Sequence, residues 1–238
     1  MKLRISGSSL AGSLLLAAIG FLVLAPLGVL FYGSLTAAGE PGLAAYADVF
    51  SKASTYKDLW TTAWLGVARA FLATGLAIFL AWTIARTNTP HRNLLEFAIW
   101  LAFFIPPLSK VLAWLVLGMP RSGLINVAAR NLFHIDVLFD IQSYGGIIWV
   151  SVLSFAPLLY LLISPAFKGH DASLEEASRM SGASNRSTVF RITLPVMMPA
   201  ILGAFLLAFV RMMESFETEL FLGYPARIFV ISTRIYDY

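Results

Sequence analysis

Long apolar runs separated by short polar islands set the pattern of this chain. No Asp, Glu, Lys or Arg occurs between Arg4 and Glu40 (35 residues), between Asp140 and Lys168 (27 residues) or between Arg191 and Arg211 (19 residues). A helix needs about 20 mostly apolar residues to cross a bilayer. These three runs alone therefore predict a polytopic membrane protein. Two further apolar stretches carry isolated charges or breaks, and the whole pattern predicts five spans. They run from about Leu10 to Leu35, Leu59 to Ala85, Leu94 to Leu117, Ile141 to Phe167 and Val196 to Val210. Pro26 lies inside the first, Pro106-Pro107 breaks the third, and Pro157 sits in the fourth. Trp60, Trp64 and Trp82 place the two ends of the second span at the membrane interfaces. Residues 36–58 mix both charge signs with Gly and Pro and read as a connection with one surface helix. The stretch Gly123 to Phe133 reads as an amphipathic surface helix. The segment from Glu214 to Tyr238 is too interrupted to be an ordinary span.

Composition sharpens this into an all-α, polytopic membrane helical bundle. The 238 residues are 58% hydrophobic and 13% charged, with a mean hydropathy of +0.78. Soluble domains carry about 25% charged residues. The absence of cysteine excludes disulfides, thiolate metal sites and cysteine nucleophiles. The charged start and apolar core of residues 1–25 imitate a signal peptide, but the run is too long and no small-x-small site follows. We read it as an uncleaved first span. The division expected is residues 1–58, a first helix with its outer connection, and residues 59–238, the bundle core.

A net charge of +4 on such a chain bears on loop orientation. With the N-terminus inside, Lys2, Arg4, Arg86, Arg92, Lys168, Arg179, Arg186 and Arg191 fall on the cytoplasmic side. Lys52, Lys57, Arg121, Arg130, Arg227 and Arg234 fall outside, so eight stand against six. No interleaved basic and aromatic surface points to nucleic acid.

One polar island stands out, Lys168 to Pro195. Ser173 with Glu176 three residues on has the spacing of a capping box. Leu174, Ala177 and Met180 or Ser181 fall on one helical face. Gly182 is placed to end that helix in a left-handed conformation. Ser184 is placed to cap a second short helix, and Pro195 to open the next apolar run.

Within this island, Glu176-Ala177-Ser178, three residues, Gly182, nine residues, Ile192, one residue and Leu194-Pro195 resemble the EAA loop of binding-protein-dependent ABC importer permeases. The family pattern has alanine where Ser178 stands, a residue of nearly the same size. The resemblance implies a type I (MetI-like) permease fold and a cytoplasmic coupling helix that docks on an ATP-hydrolysing subunit. It also implies a periplasmic solute-binding protein and a second permease unit, fused or separate. Softer similarities to the ferric iron and thiamine branch lie in Arg86-Thr-Asn-Thr-Pro90, Gly123-Leu-Ile-Asn126, Tyr144-Gly-Gly146-Ile and Glu217-Thr-Glu-Leu-Phe-Leu-Gly223-Tyr-Pro225. Ferric iron is the solute this implies first, with thiamine, polyamine, sulfate and phosphonate permeases as alternatives. Family cores return to the cytoplasm through another helix, so five spans imply that the C-terminal end of the core is incomplete here.

Charges outside the loop are the other candidates. Arg69 falls mid-span, where a lone charge needs a partner or water. Lys110 follows the Pro-Pro break and can reach an interface. Glu214 and Glu217, at i and i+3, would share one helix face with Arg211 one turn earlier. A carboxylate pair of that kind suits a hard cation, and a solvated helix end is its structural alternative. Arg69, Glu214 and Glu217 are thus the pathway candidates, whereas His91, His134 and His170 form no metal constellation. No cofactor or resident metal is expected. No Asp or His lies within a predicted span, which argues against an intramembrane hydrolase. No phosphate-binding G-x-x-x-x-G-K-[ST] occurs, so any ATPase is another chain.

Overall fold

The computed structural model describes residues 7–37, 39, 41–169 and 173–236. Lys2, Arg4, Glu40, His170 and Tyr238, named above, lie outside the described residues. Among those described, all regular structure is helical. The chain divides into two compact units, Met1–Tyr56 and Lys57–Tyr238.

The first unit holds α1 (Gly7–Thr36) and α2 (Ala44–Ser51). Within this unit, the most apolar stretch of α1 buries none of its residues. Tyr46 on α2 donates its hydroxyl to Ser34 Oγ at 2.7 Å, which folds the connection back onto the end of α1.

The second unit is built on α3 (Ala53–Arg86), α7 (Tyr144–Gly169) and α10 (Leu194–Met213). Lipid is as apolar as leucine, so these helices associate by close packing rather than by burial from water. The sequence supplies the means. Ala70, Ala73, Ala77 and Ala81 form a stripe on α3, all fully buried, against Leu159, Tyr160, Ile163 and Phe167 of α7 and Met197, Ile201, Ala204 and Ala208 of α10. Small residues on one helix let large ones from two others interdigitate.

Between α3 and α7 the chain forms α4 (Arg92–Phe104), α5 (Pro107–Gly118) and α6 (Leu124–Phe133). The third predicted span is not one helix. Its halves α4 and α5 meet at 99°. Ile105 and Pro106 each precede a proline, which pushes them out of the helical region, and their ψ angles are 124° and 142°. With α1, α3, α7 and the α10 run, the structure has four helices able to span a membrane, or five if the bent pair is one span.

The loop around α6 is clasped by Asn126, which is fully buried. Its amide nitrogen donates to the Met119 and Phe139 carbonyls (2.9 and 2.7 Å), and its oxygen accepts from the Leu138 and Phe139 N–H groups, both at 2.9 Å. All four hydrogen-bonding capacities of the side chain are used. Gly146 opens α7 where a Cβ would lie 2.0 Å from the Ile141 carbonyl oxygen, so no other residue fits.

Candidate coupling loop and buried ion pair

The polar island folds into α8 (Ser173–Met180), a turn, α9 (Asn185–Thr188), a π-helical turn (Val189–Thr193) and then α10. Gly182 has φ +83°, the left-handed conformation expected of it, and its N–H donates to the Arg179 carbonyl at 3.0 Å. Ser184 caps α9, its Oγ accepting from the Ser187 N–H at 3.3 Å. Ser173 and Glu176, the two members of the expected capping box, both lie on α8, which begins at the edge of the described residues.

Pro195 stands in the first turn of α10, as expected, although the helical run reaches it without interruption from Asn185. A proline inside a helix removes an N–H and clashes with the carbonyl four residues back. The π turn just before it widens the backbone, with the Leu194 N–H donating to the Val189 carbonyl. Ile192 lies within that turn, half-buried, beside buried Thr193.

The two faces of α8 differ. Leu174, Glu176, Ala177 and Met180 are exposed, Met180 at 90%. Glu175 and Ser178 face the protein. Ser178 Oγ lies 2.9 Å from Thr188 Oγ1, so the residue that departs from the family pattern clips α8 to α9. Glu175 Oε1 accepts from Thr193 Oγ1 at 2.9 Å and lies 3.8 Å from Arg86 Nε. Lys168, at the end of α7, pairs with Glu96 of α4 at 2.9 Å.

Arg69 and its surroundings form the second site. Its side chain is 1% exposed, and the guanidinium is ion-paired with Glu219, itself fully buried. Arg69 also donates to the Met212 carbonyl at 2.8 Å, the Leu65 carbonyl at 3.2 Å and Ser151 Oγ at 3.3 Å. The other Glu219 oxygen accepts from Ser215 Oγ at 2.6 Å. Glu219 opens a second π-helical turn, Glu219–Gly223, after which α11 (Ile231–Tyr236) closes the described chain. A second ion pair joins this segment to the start of α3, Arg234 Nε to Asp58 Oδ2 at 2.7 Å. The Ile231 N–H donates to Thr62 Oγ1 at 2.9 Å beside it. Thus α3 presents Asp58 and Arg69 to Arg234 and Glu219, a charge order that fixes how the C-terminal segment lies along it.

Glu219 belongs in the sequence to a family-like string and was not among the candidate residues. Its signal was the need of Arg69 for a partner. The other two acidic candidates are not brought together as expected. Helix α10 ends at Met213, so Glu214 and Glu217 do not share its face. Both are exposed, and Glu214 pairs with Arg211 at 3.6 Å in an equally exposed contact. Lys110 donates to the Ser154 carbonyl of α7 at 3.3 Å. Among the described residues, no three His, Asp or Glu side chains gather as a metal site.

Helices of membrane length and an exposed, clipped helix–turn–helix loop define a multi-pass membrane protein. The chain belongs to the family described as binding-protein-dependent transport system inner membrane component, which matches residues 73–238. It is a multi-pass inner-membrane protein. The chain is 35% identical over 140 residues to the molybdenum transport system permease protein ModB of Escherichia coli K12, covering 58% of this chain and 59% of that one. It is 29% identical over 161 residues to the ferric transport system permease protein FbpB of Actinobacillus pleuropneumoniae, covering 67% of this chain and 23% of that one. Among solved structures, a bacterial alginate ABC transporter in complex with its alginate pentasaccharide-bound periplasmic protein aligns with a TM-score of 0.77. That match has 20% identity and covers 95% of this chain and 81% of that chain. At that identity the likeness establishes the fold.

Proposed function

We propose that this chain is the membrane-spanning permease unit of an ATP-driven ABC importer, working with ATPase subunits, a solute-binding protein and a second permease unit. The observation that carries the reading is the geometry of α8. Its exposed face (Leu174, Ala177, Met180) projects apolar side chains that no other described residue covers, with Glu176 beside them. Its opposite face is fastened to the bundle. A short helix held in this way can fill a groove on a partner and carry a rigid-body movement inward. In this reading the loop lies in the cytoplasm, and ATP binding on the partner biases an inward-open against an outward-open arrangement by differential affinity.

For the solute we propose a metal taken up in ionic form. Relatives named for molybdenum and for ferric iron both support it. The exposed carboxylates Glu214 and Glu217 favour the ferric cation, the first solute implied by the sequence. Arg69 is satisfied by Glu219 and is assigned to holding the C-terminal segment rather than to contacting solute. Membrane vesicles carrying the complex and its binding protein, given radiolabelled molybdate or ferric citrate with ATP, test this directly. Accumulation of one of them supports the reading. ATP-driven uptake of an organic cation such as thiamine in place of either metal would refute the solute assignment while leaving the permease role intact.

A further inference from the structure

The two neighbouring glutamates of α8 do different things. Consecutive residues on a helix point about 100° apart, and here Glu176 is exposed while the Glu175 side chain is 14% exposed. We infer that Glu175 is a positioning residue that ties the coupling helix to the transmembrane bundle, so that movement imposed on α8 reaches α3 and α10. The inference rests on the permease reading above and assigns a role to a residue outside the loop pattern by which that reading was made.

Three observations carry it. The Glu175 carboxylate is a junction of three elements, for Oε1 accepts the Thr193 hydroxyl at 2.9 Å and sits 3.8 Å from Arg86 Nε. Arg86 is the last residue of α3, and Thr193 is the residue on which the π turn ends and α10 begins. Thr193 is 1% exposed, so its hydroxyl is held where water cannot replace the bond. A hydrogen bond to a carboxylate acceptor is stronger than one to a neutral acceptor. Ser178, one turn after Glu175 on the same face, adds the bond to Thr188. The tie therefore meets α10 at its π turn, where helical bonding is already irregular and α9 can tilt against the span. A pull or push on α8 has one short polar route into two of the three core helices.

The variants Glu175→Gln and Thr193→Val keep side-chain shape and weaken or remove the bond, while Thr193→Ser keeps the hydroxyl. Three readouts separate the roles: the amount of ATPase co-purifying with the tagged chain, uptake of the transported metal per ATP hydrolysed, and a nitroxide distance between Asn88→Cys and Ser181→Cys. The last is measured on the chain alone in nanodiscs, where the chain contributes no other thiol. The expected result for Glu175→Gln and Thr193→Val is ATPase association within twofold of wild type. Uptake per ATP falls at least fivefold, and the distance distribution broadens. Thr193→Ser should match wild type in all three. Uptake per ATP within twofold of wild type and an unchanged distance distribution would overturn the inference, as would loss of association itself. A wild-type chain that captures no ATPase would instead refute the permease reading, and the nitroxide distance, which needs no partner, would still decide whether the tie exists.

Discussion

Glu219→Gln removes the charge that neutralises Arg69 while keeping nearly the same shape. Arg69 is then left 1% exposed with its positive charge unanswered, holding only the Met212 and Leu65 carbonyls and Ser151. Breaking one side of a buried ion pair costs about 3–5 kcal/mol, because an uncompensated charge remains. Replacing both partners, Arg69→Met with Glu219→Met, removes that charge. What remains is the loss of the donor to the Met212 carbonyl and of the acceptor for Ser215, and a buried group left unsatisfied costs about 1–3 kcal/mol. The double variant is therefore expected to be about as stable as Glu219→Gln, with a loss well short of the sum of the two single changes. Thermal unfolding of the detergent-solubilised chain, followed by tryptophan fluorescence, reads this out. For a chain of this size 1 kcal/mol moves the midpoint by about 2–4 °C, so Glu219→Gln should lower it by ~6–20 °C. A fall of less than about 4 °C, or strictly additive single and double variants, would show that Arg69 is not held by Glu219.

Gly182→Val should cost about 1–2 kcal/mol of local turn stability through its left-handed backbone. No atom lies within 4 Å of the added Cβ, so the strain is purely conformational. Co-purified ATPase should fall severalfold while membrane insertion and the melting midpoint stay near wild type. Glu214→Gln with Glu217→Gln tests the pathway proposal for these exposed carboxylates. A loss of metal uptake beyond tenfold, about 1.4 kcal/mol, with ATPase association retained is the expected outcome if they meet the solute, and uptake within twofold retires that role. For orientation, the reading expects an impermeant thiol reagent applied to intact cells to label Ser51→Cys and to spare Ser173→Cys, and the reverse pattern would invert the topology.

What the sequence made legible was local. Gly182 and Ser184 could be placed because a left-handed turn and an N-cap each depend on one residue and its near neighbours, and both stand as expected. The membrane helices were legible because charge is excluded over a full bilayer thickness, and α7 and α10 follow the predicted spans within a few residues while α3 starts somewhat earlier than predicted. The misplaced features depend on what a one-dimensional pattern does not carry. Pro106-Pro107 announced a break, but a 99° turn reflects two successive residues driven out of helical geometry. Pro195 does stand at the start of α10, but the π turn that joins this helix to α9 has no sequence signature of its own. Arg69 and Glu219 are 150 positions apart, and only the packing of the C-terminal segment against α3 and α7 pairs them. Glu175 and Glu176 are indistinguishable by type, and helical phase alone separates the carboxylate that faces inward from the one that faces out.

The central claim is that the exposed face of α8 seats an ATPase subunit. It is tested most directly by placing the photocrosslinking residue benzoylphenylalanine at Met180, the 90% exposed end of that face, with Trp60 as an exposed control on α3. Native membranes are irradiated, and the chain cross-linked to the tagged protein is identified by mass spectrometry. The account predicts that Met180 captures a chain carrying the phosphate-binding G-x-x-x-x-G-K-[ST] loop of an ATPase, and that Trp60 does not. Capture of no such chain at Met180, or equal capture at both positions, would contradict it.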